Sequence, residues 1–203
     1  MNKLVVFDLD GVLVDACEWH RIALNQALRE VCNYEISLDE HYSTFNGIPT
    51  KVKLEKLTEM GILQRDQHIE VYDRKQELTI KTIEKHAEYR KEKVDMIKHL
   101  RKKGYFIACF TNSIRETATM MLDKTGVIEH LDYLVTNEDV ENSKPAPDGY
   151  LFLVEKFNVS KNNVIIVEDS PKGIAAAKAS GCNVIEVKNP DEVNIDLFEG
   201  HLK

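Results

Sequence analysis

Five short apolar runs constrain the fold of this chain more than any other feature. The first four are each followed by a polar cluster and a helical pattern, and the fifth follows the last helix: residues 4–7, 105–110, 131–135, 164–167 and 183–187. Strands that are apolar throughout are typical of a parallel sheet covered by helices on both faces. The order predicts a doubly wound, Rossmann-like α/β fold with a long helical insert after the first strand.

Capping signals support the predicted helices. Helix starts are indicated by the capping-box spacing of Ser113 and Glu116 and by Pro171, which suits a first helical position. Gly104 and Gly181 stop the helices that precede two of the strands. The pattern therefore alternates strand and helix as a doubly wound sheet requires.

The segment after the first strand has only a helical pattern. We expect residues 1–15 and 87–203 to form the α/β catalytic core and residues 16–86 to form an inserted helical cap domain. Residues 79–103 contain no Gly or Pro that would mark the return to the core, and we place the boundary near His86. The cap's signals are a capping box at Ser37 and Glu40 and one apolar helix face at Ile22, Ala23, Ala27, Leu28 and Val31.

Composition restricts the partners and the location. With 203 residues, 43% of them hydrophobic, the chain can bury a core without disulfides, and we expect a monomer. A net charge of -7 without a basic block argues against nucleic acid and anionic membranes. The apolar stretch before the first acid is too short for a signal peptide, and no membrane-spanning run is present, so we expect a cytoplasmic protein.

The scattered cysteines predict reduced, mostly buried thiols and no zinc site: Cys17, Cys32, Cys109 and Cys182.

Polar residues directly follow the apolar runs, where parallel sheets bind ligands. Asp8 and Asp10 follow the first run, Thr111-Asn112-Ser113 the second, and Glu168-Asp169 the fourth. Lys144 follows the third run after a loop and precedes a proline, which holds it extended. Each motif alone also fits an ordinary role: a solvated turn, a helix cap or a surface lysine.

Together these residues predict a metal-assisted phosphoryl-transfer site. Two pairs of acids at one sheet edge would repel each other without a cation, and Mg²⁺ suits an all-oxygen site that engages phosphate. The turn at Thr111 and Asn112 presents backbone N–H groups to an anion. Phosphoryl transfer needs a nucleophile, a proton donor and positive charge on the equatorial oxygens, and this set supplies each of them.

In this order and at these strand ends, the four segments resemble the four motifs of haloacid dehalogenase superfamily phosphatases and mutases. Residues 7–15, Phe-Asp-Leu-Asp-Gly-Val-Leu-Val-Asp, are the strongest match. The resemblance implies a small phosphorylated metabolite as substrate, as in phosphoglycolate phosphatases, sugar-phosphate phosphatases and β-phosphoglucomutases. It also implies that residues 11–15 form a mobile turn.

The resemblance also implies residue roles. Asp8 would be the nucleophile and a metal ligand, and Asp10 the general acid/base with its carbonyl on the metal. Thr111 and Asn112 would bind the phosphoryl group, and Lys144 would bridge that group to Asp8. Glu168 and Asp169 would complete the Mg²⁺ site.

Two departures from the family pattern matter. The Pro-Gly pair that often opens the first core helix after the cap is missing, which affects the boundary. Ala16 stands where many relatives carry Ser or Thr, which puts a hydroxyl contact to Asp10 in question.

A phosphosugar mutase is the main alternative. His20 and the segment around Lys51 lie where mutase-like relatives place hinge and cap-loop residues, and both are candidate substrate contacts. Near the position of Thr50, β-phosphoglucomutases carry an arginine that holds a second phosphate, and this chain has threonine there. The Thr111-Asn112-Ser113 segment resembles the motif of phosphatases more than the Ser-Ala-Ser of mutases. We therefore favour the phosphatase. Lys51, Lys53 and Lys56 also fit a solvated helix face, and His20 fits a packed hinge residue.

Two further alternatives are weaker. A dehalogenase would use the same nucleophile without Mg²⁺ and would not be expected to keep Asp10. A protein that only binds a phosphorylated ligand or a partner would not need Asp8, Asp10, Lys144 and Asp169 together.

Overall fold

The described residues include a parallel five-stranded sheet, as the sequence pattern predicts. The computed structural model describes residues 2–200. All neighbouring strands pair in parallel, in the order β3-β2-β1-β4-β5. The strands are β1 (Lys3–Phe7), β2 (Tyr105–Phe110), β3 (Tyr133–Val135), β4 (Val164–Glu168) and β5 (Asn183–Glu186). The predicted doubly wound fold class is confirmed.

Residues 2–200 contain eight α-helices. In chain order they are α1 (Cys17–Cys32), α2 (Leu38–Glu40), α3 (Thr50–Glu59), α4 (His68–His86), α5 (Lys91–Lys102), α6 (Arg115–Lys124), α7 (Asp148–Lys156) and α8 (Pro171–Ser180). Between α2 and α3 lies a short π-helix, His41–Phe45. Short 3-10 helices occupy several of the remaining connections.

The central strand is buried on both faces. Residues 4–7 have no exposed surface, and their side chains alternate between the two sides of the sheet. On one side, Leu4 and Val6 pack in a cluster with Leu153 of α7 and Ala176 of α8. On the other side, Phe7 makes an edge contact with the Phe198 ring. This two-sided burial is the reason that the strand is apolar throughout.

The chain divides into two compact units. Among the described residues, one unit comprises 2–15 and 88–200 and contains the sheet. The other comprises Ala16–Ala87 and is helical, with a core built around buried residues such as Leu24, Leu28 and Leu57. The core domain predicted from the sequence also includes residues 1 and 201–203, which lie outside the described residues. The catalytic and cap roles of the two units remain proposals.

The helix caps agree with the sequence in most places. Ser37 and Glu40 form the predicted capping box. Ser170 caps α8, with Pro171 in its first turn, and Gly181 ends that helix in a left-handed conformation. The capping box predicted at Ser113 is wrong, since α6 begins at Arg115 and Ile114 occupies its N-cap.

Three smaller expectations also need correction. Ile22 is 43% exposed and does not belong to the apolar face of α1. The third strand begins at Tyr133 rather than at residue 131, because a 3-10 turn, Ile128–His130, precedes it. All four cysteines are free, but only Cys109 is buried.

Within residues 2–200, no helix combines the length and apolar character required to cross a bilayer.

Candidate active site

Three adjacent strands deliver the predicted site residues to one edge of the sheet. Asp8 follows β1, Thr111 follows β2, and Glu168 ends β4. The Asp8 N–H donates to the Val167 carbonyl at 3.0 Å, so the chain stays paired with β4 as it leaves the strand. Because β1 lies between β2 and β4, parallel pairing places all three side chains at the same edge.

A buried lysine links two of these carboxylates. Lys144 is 3% exposed, and its Nζ donates to Asp8 Oδ1 at 2.7 Å, to Glu168 Oε1 at 2.5 Å and to the Phe110 carbonyl at 2.7 Å. These bonds use all three of its N–H donors. Burial alone would lower the pKa of Lys144, but the negative charges of Asp8 and Glu168 outweigh it and hold the pKa above its usual value. Lys144 is therefore a fixed cation.

Asn112 holds the main chain of this lysine. Its side-chain amide donates to the Lys144 carbonyl at 3.1 Å and accepts from the Lys144 N–H at 3.1 Å. The family resemblance implies a contact of Asn112 with the phosphoryl group, whereas the contacts seen here anchor Lys144. Asn112 thus ties the loop after β3 to the end of β2.

Glu168 is fully buried and enclosed on several sides. Its Oε1 accepts from Lys144 Nζ and from the hydroxyl of Tyr150, a buried residue of α7. A Cβ atom on Gly173 would overlap the Glu168 carboxyl group, so α8 approaches closely only because residue 173 is glycine. Tyr150 was not identified from the sequence, where it looks like an ordinary apolar helix residue.

The carboxylates are crowded enough to perturb one another. Burial raises the pKa of Asp8 well above its usual value, against the lowering effect of Lys144, and Glu168, Asp169 and Asp10 raise it further. Burial and the charges of Glu168 and Asp10 raise the pKa of Asp169 to about 7. Four acids and one lysine leave an excess of negative charge that a divalent cation would neutralise.

Oxygen atoms suited to a divalent cation converge at the same place. One carboxylate oxygen from each of Asp8, Glu168 and Asp169 lies within 4.8 Å of the others. Within the described chain, Glu168 Oε2 and Asp169 Oδ1 are buried and have no hydrogen-bond partner. Buried oxygens normally have a partner, and an all-oxygen set is the type of site that Mg²⁺ prefers. These residues therefore fit the ion.

A tight turn brings Asp10 next to this cluster. Gly11 has φ = +87°, and a Cβ at this position would overlap the Asp169 carboxyl group. Its N–H donates to the Val14 carbonyl at 2.7 Å, which closes the turn. The glycine is required both for the left-handed backbone and for the close approach of Asp169.

Two hydroxyl groups contact the Asp10 carboxylate. Asp10 Oδ2 accepts from Ser113 Oγ at 2.8 Å and from Thr111 Oγ1 at 3.3 Å. The sequence put any hydroxyl contact to Asp10 in question because Ala16 has no hydroxyl, and Ser113 and Thr111 supply that contact. The sequence predicts Ser113 as part of the strand-end Thr-Asn-Ser segment and as a helix cap, but it does not predict the contact with Asp10.

The predicted substrate contacts of the helical unit lie in different environments. His20 Nδ1 lies 3.3 Å from Nζ of the buried Lys75. Lys51 is exposed, and its Nζ lies 5.8 Å from the centre of the Tyr72 ring. Lys53 was expected on a solvated face with Lys51, which is wrong because Lys53 is only 7% exposed.

Comparison with known proteins agrees with this geometry. A phosphoglycolate phosphatase of Nitrosospira multiformis is 26% identical over 204 residues, covering 97% of this chain and 88% of the relative. The fructose-1-phosphate phosphatase YqaB of Escherichia coli is 26% identical over 187 residues, covering 91% of this chain and 95% of the relative. In fold, the chain is similar to the β-phosphoglucomutase of Clostridium difficile, with a TM-score of 0.83 and 18% identity over 98% of this chain and 96% of that chain.

A family model covers most of the chain and includes every site residue named above. The model, described as haloacid dehalogenase-like hydrolase, matches residues 5–187. With the strand-end carboxylates and the buried lysine in place, this match shows that the chain belongs to the family of haloacid dehalogenase-like hydrolases.

Proposed function

We propose that the protein is a Mg²⁺-dependent phosphatase that hydrolyses a small phosphate monoester through a phosphorylated Asp8. The observation that carries the proposal is the contact between Asp8 and the buried Lys144 at the end of the central strand. The proposed substrate is a sugar phosphate or a phosphoglycolate-like ester, and the names of the two curated relatives support this class.

In the first displacement, an Asp8 carboxylate oxygen attacks the phosphorus and the bond to the ester oxygen breaks. Asp10 donates a proton to the departing oxygen, so an alcohol leaves. Thr111 and Asn112 bind the phosphoryl oxygens, Asn112 through an N–H other than the one that donates to the Lys144 carbonyl. Lys144 balances the charge of these oxygens while it holds Asp8. The product of this step is an aspartyl-phosphate.

In the second displacement, water attacks the phosphorus of the aspartyl-phosphate. Asp10, now ionised, accepts the proton of this water, and the bond between phosphorus and Asp8 breaks. Inorganic phosphate leaves and the Asp8 carboxylate is restored. Asp10 therefore alternates between acid and base.

We propose that Asp8, Asp169, Glu168 and the Asp10 carbonyl hold Mg²⁺. When bound, the ion supplies positive charge that offsets the carboxylates and the phosphoryl oxygens. The buried, unpaired oxygens of Glu168 and Asp169 support this assignment.

The helical unit is proposed to act as a cap that selects the substrate, with His20 and Lys51 as candidate contacts. The pairing of His20 with the buried Lys75 supports a structural role for His20 as well. Lys51 is exposed on α3, where a ligand can reach it.

The central test is Asp8→Asn, assayed with p-nitrophenyl phosphate and a broad panel of phosphate esters. The rate should fall by at least roughly 10³-fold, because the nucleophile is removed while the fold is retained. Asp123→Asn, an exposed residue of α6, is a matched control and should keep wild-type activity. Persistent turnover by Asp8→Asn would exclude the proposed nucleophile.

The product distinguishes a phosphatase from a mutase. With β-glucose 1-phosphate as substrate, we expect inorganic phosphate or no reaction. Formation of glucose 6-phosphate would instead identify a mutase. If no ester of the panel is hydrolysed, the ligand-binding alternative is favoured over the phosphatase.

A further inference from the structure

The second hydroxyl of the Thr-Asn-Ser segment has no role in the reaction described above. Ser113 Oγ nevertheless makes the shorter of the two hydroxyl bonds to Asp10, 2.8 Å against 3.3 Å for Thr111. Both hydroxyls contact the same carboxylate oxygen, Oδ2. This arrangement fixes the plane and the direction of the Asp10 carboxyl group.

The backbone of Ser113 is held on both sides. Its N–H donates to Thr111 Oγ1 at 3.0 Å, and its carbonyl accepts from the Asn137 N–H at 3.4 Å. The loop that contains Asn137 is itself anchored, because Asp139 Oδ2 accepts from the Thr136 N–H at 2.7 Å and from its hydroxyl at 2.8 Å. The Ser113 hydroxyl is therefore presented to Asp10 from a fixed position.

Such a support matters for a group that changes protonation twice in each cycle. Efficient proton transfer requires the carboxyl group to lie within hydrogen-bond reach of the reacting oxygen in both displacements. Because the Ser113 hydroxyl holds Oδ2, the Asp10 carboxyl group keeps one orientation through both transfers. A carboxyl group supported by a second layer of hydrogen bonds keeps this geometry better than one that rotates.

We propose that Ser113 is a positioning residue for Asp10, which its hydroxyl orients for proton transfer. Thr111 has a single O–H proton, so when it binds the phosphoryl group, Ser113 is the hydroxyl that keeps its bond to Asp10 Oδ2. The inference rests on the proposed function, since it assumes that Asp10 is the acid and base of a phosphatase. It assigns a role in the reaction to a residue that touches neither the phosphoryl group nor the metal ligands other than Asp10.

Ser113→Ala tests the inference through its dependence on the leaving group. An alkyl alkoxide needs a proton to depart, whereas a dinitrophenolate does not. For an alkyl phosphate that the wild type hydrolyses, kcat/KM should fall about tenfold, a part of the ~10²–10⁴ that general acid catalysis contributes. For 2,4-dinitrophenyl phosphate, kcat/KM should change less than about twofold, because that ester needs little acid assistance.

Two further variants separate positioning from stability. Ser113→Thr keeps a hydroxyl and should keep most of the activity on the alkyl phosphate. Ser180→Ala removes a buried hydroxyl in the same unit, one that donates to the Ala177 carbonyl, and should leave both kcat/KM values unchanged. Thermal unfolding of each variant verifies that it is folded under the assay conditions.

The possible results lead to distinct conclusions. Equal losses on the alkyl and aryl esters, no loss on either, or equal losses in Ser113→Thr and Ser113→Ala would overturn the positioning role. If Asp8→Asn retains activity, the proposed function fails instead. A selective loss on the alkyl ester, restored by threonine, would support the inference.

Discussion

Replacing Gly173 by alanine tests how tightly the buried Glu168 is enclosed. In a helix, alanine is intrinsically more favourable than glycine by up to about 1 kcal/mol. Here, however, the added Cβ would overlap the Glu168 carboxyl group. That group cannot simply rotate away, because Lys144 and Tyr150 both donate to its Oε1.

The expected cost follows from these contacts. Overpacking of a buried site costs about 1–3 kcal/mol. Displacing the carboxyl group from its buried donors costs a further ~1–3 kcal/mol. After subtracting the gain in helix propensity, Gly173→Ala should lower the free energy of unfolding by about 1–5 kcal/mol.

A double-mutant cycle isolates the cause. In a Glu168→Ala background the overlap disappears, so Gly173→Ala should be neutral or stabilising by up to about 1 kcal/mol. The free energies are measured by urea unfolding of all four proteins at one pH without divalent cations. If Gly173→Ala costs the same in both backgrounds to within about 0.5 kcal/mol, the overlap with Glu168 is not the cause.

Three further predictions concern charge. Mg²⁺ should raise the melting temperature of the wild type, and EDTA should reverse the rise. The rise should be absent in Asp169→Asn, and an equal rise in that variant would exclude Asp169 as a ligand. Burial, with Lys53 and Arg21, lowers the pKa of His41 to about 4. Between pH values of about 4 and about 6.5, the unfolded chain therefore binds more protons than the folded chain. The free energy of unfolding, measured with urea, should fall on acidification through this window, and it should fall less steeply in His41→Phe. Burial also lowers the pKa of Lys93 to about 8, so its folded form loses a proton before the unfolded form does. From pH 8 to about 10 the wild type should gain stability relative to Lys93→Met, and a constant difference would refute this.

The strands and the polar residues that follow them could be predicted from the sequence because both depend on local patterns. Apolar runs such as residues 164–167 can be buried only in a sheet covered on both faces, and the residues that follow them must emerge at one edge. The sequence therefore predicts Asp8, Thr111 and Glu168 at that edge. Short-range signals such as the Ser37–Glu40 capping box were equally predictable, because both partners lie within one helical turn.

Contacts between distant segments were decided only by the tertiary structure. Tyr150 donates to Glu168 although its sequence context is that of a packed helix residue, and Lys53 is buried although its spacing fits a solvated face. Ser113 fitted a capping box by spacing, yet its hydroxyl donates to a carboxylate 103 residues earlier in the chain. Hydrogen-bond partners at such separations depend on how elements pack, which periodicity and spacing do not encode.

The sequence by itself determined the fold class, the sheet edge and the set of groups that phosphoryl transfer requires. The tertiary structure decided how those groups are held: Lys144 between Asp8 and Glu168, Asn112 on the main chain of Lys144, and Ser113 on Asp10. The physical reason is that residue type and position along a strand specify which groups reach the site. Their orientation depends instead on a few ångströms of packing between segments that are far apart in the chain.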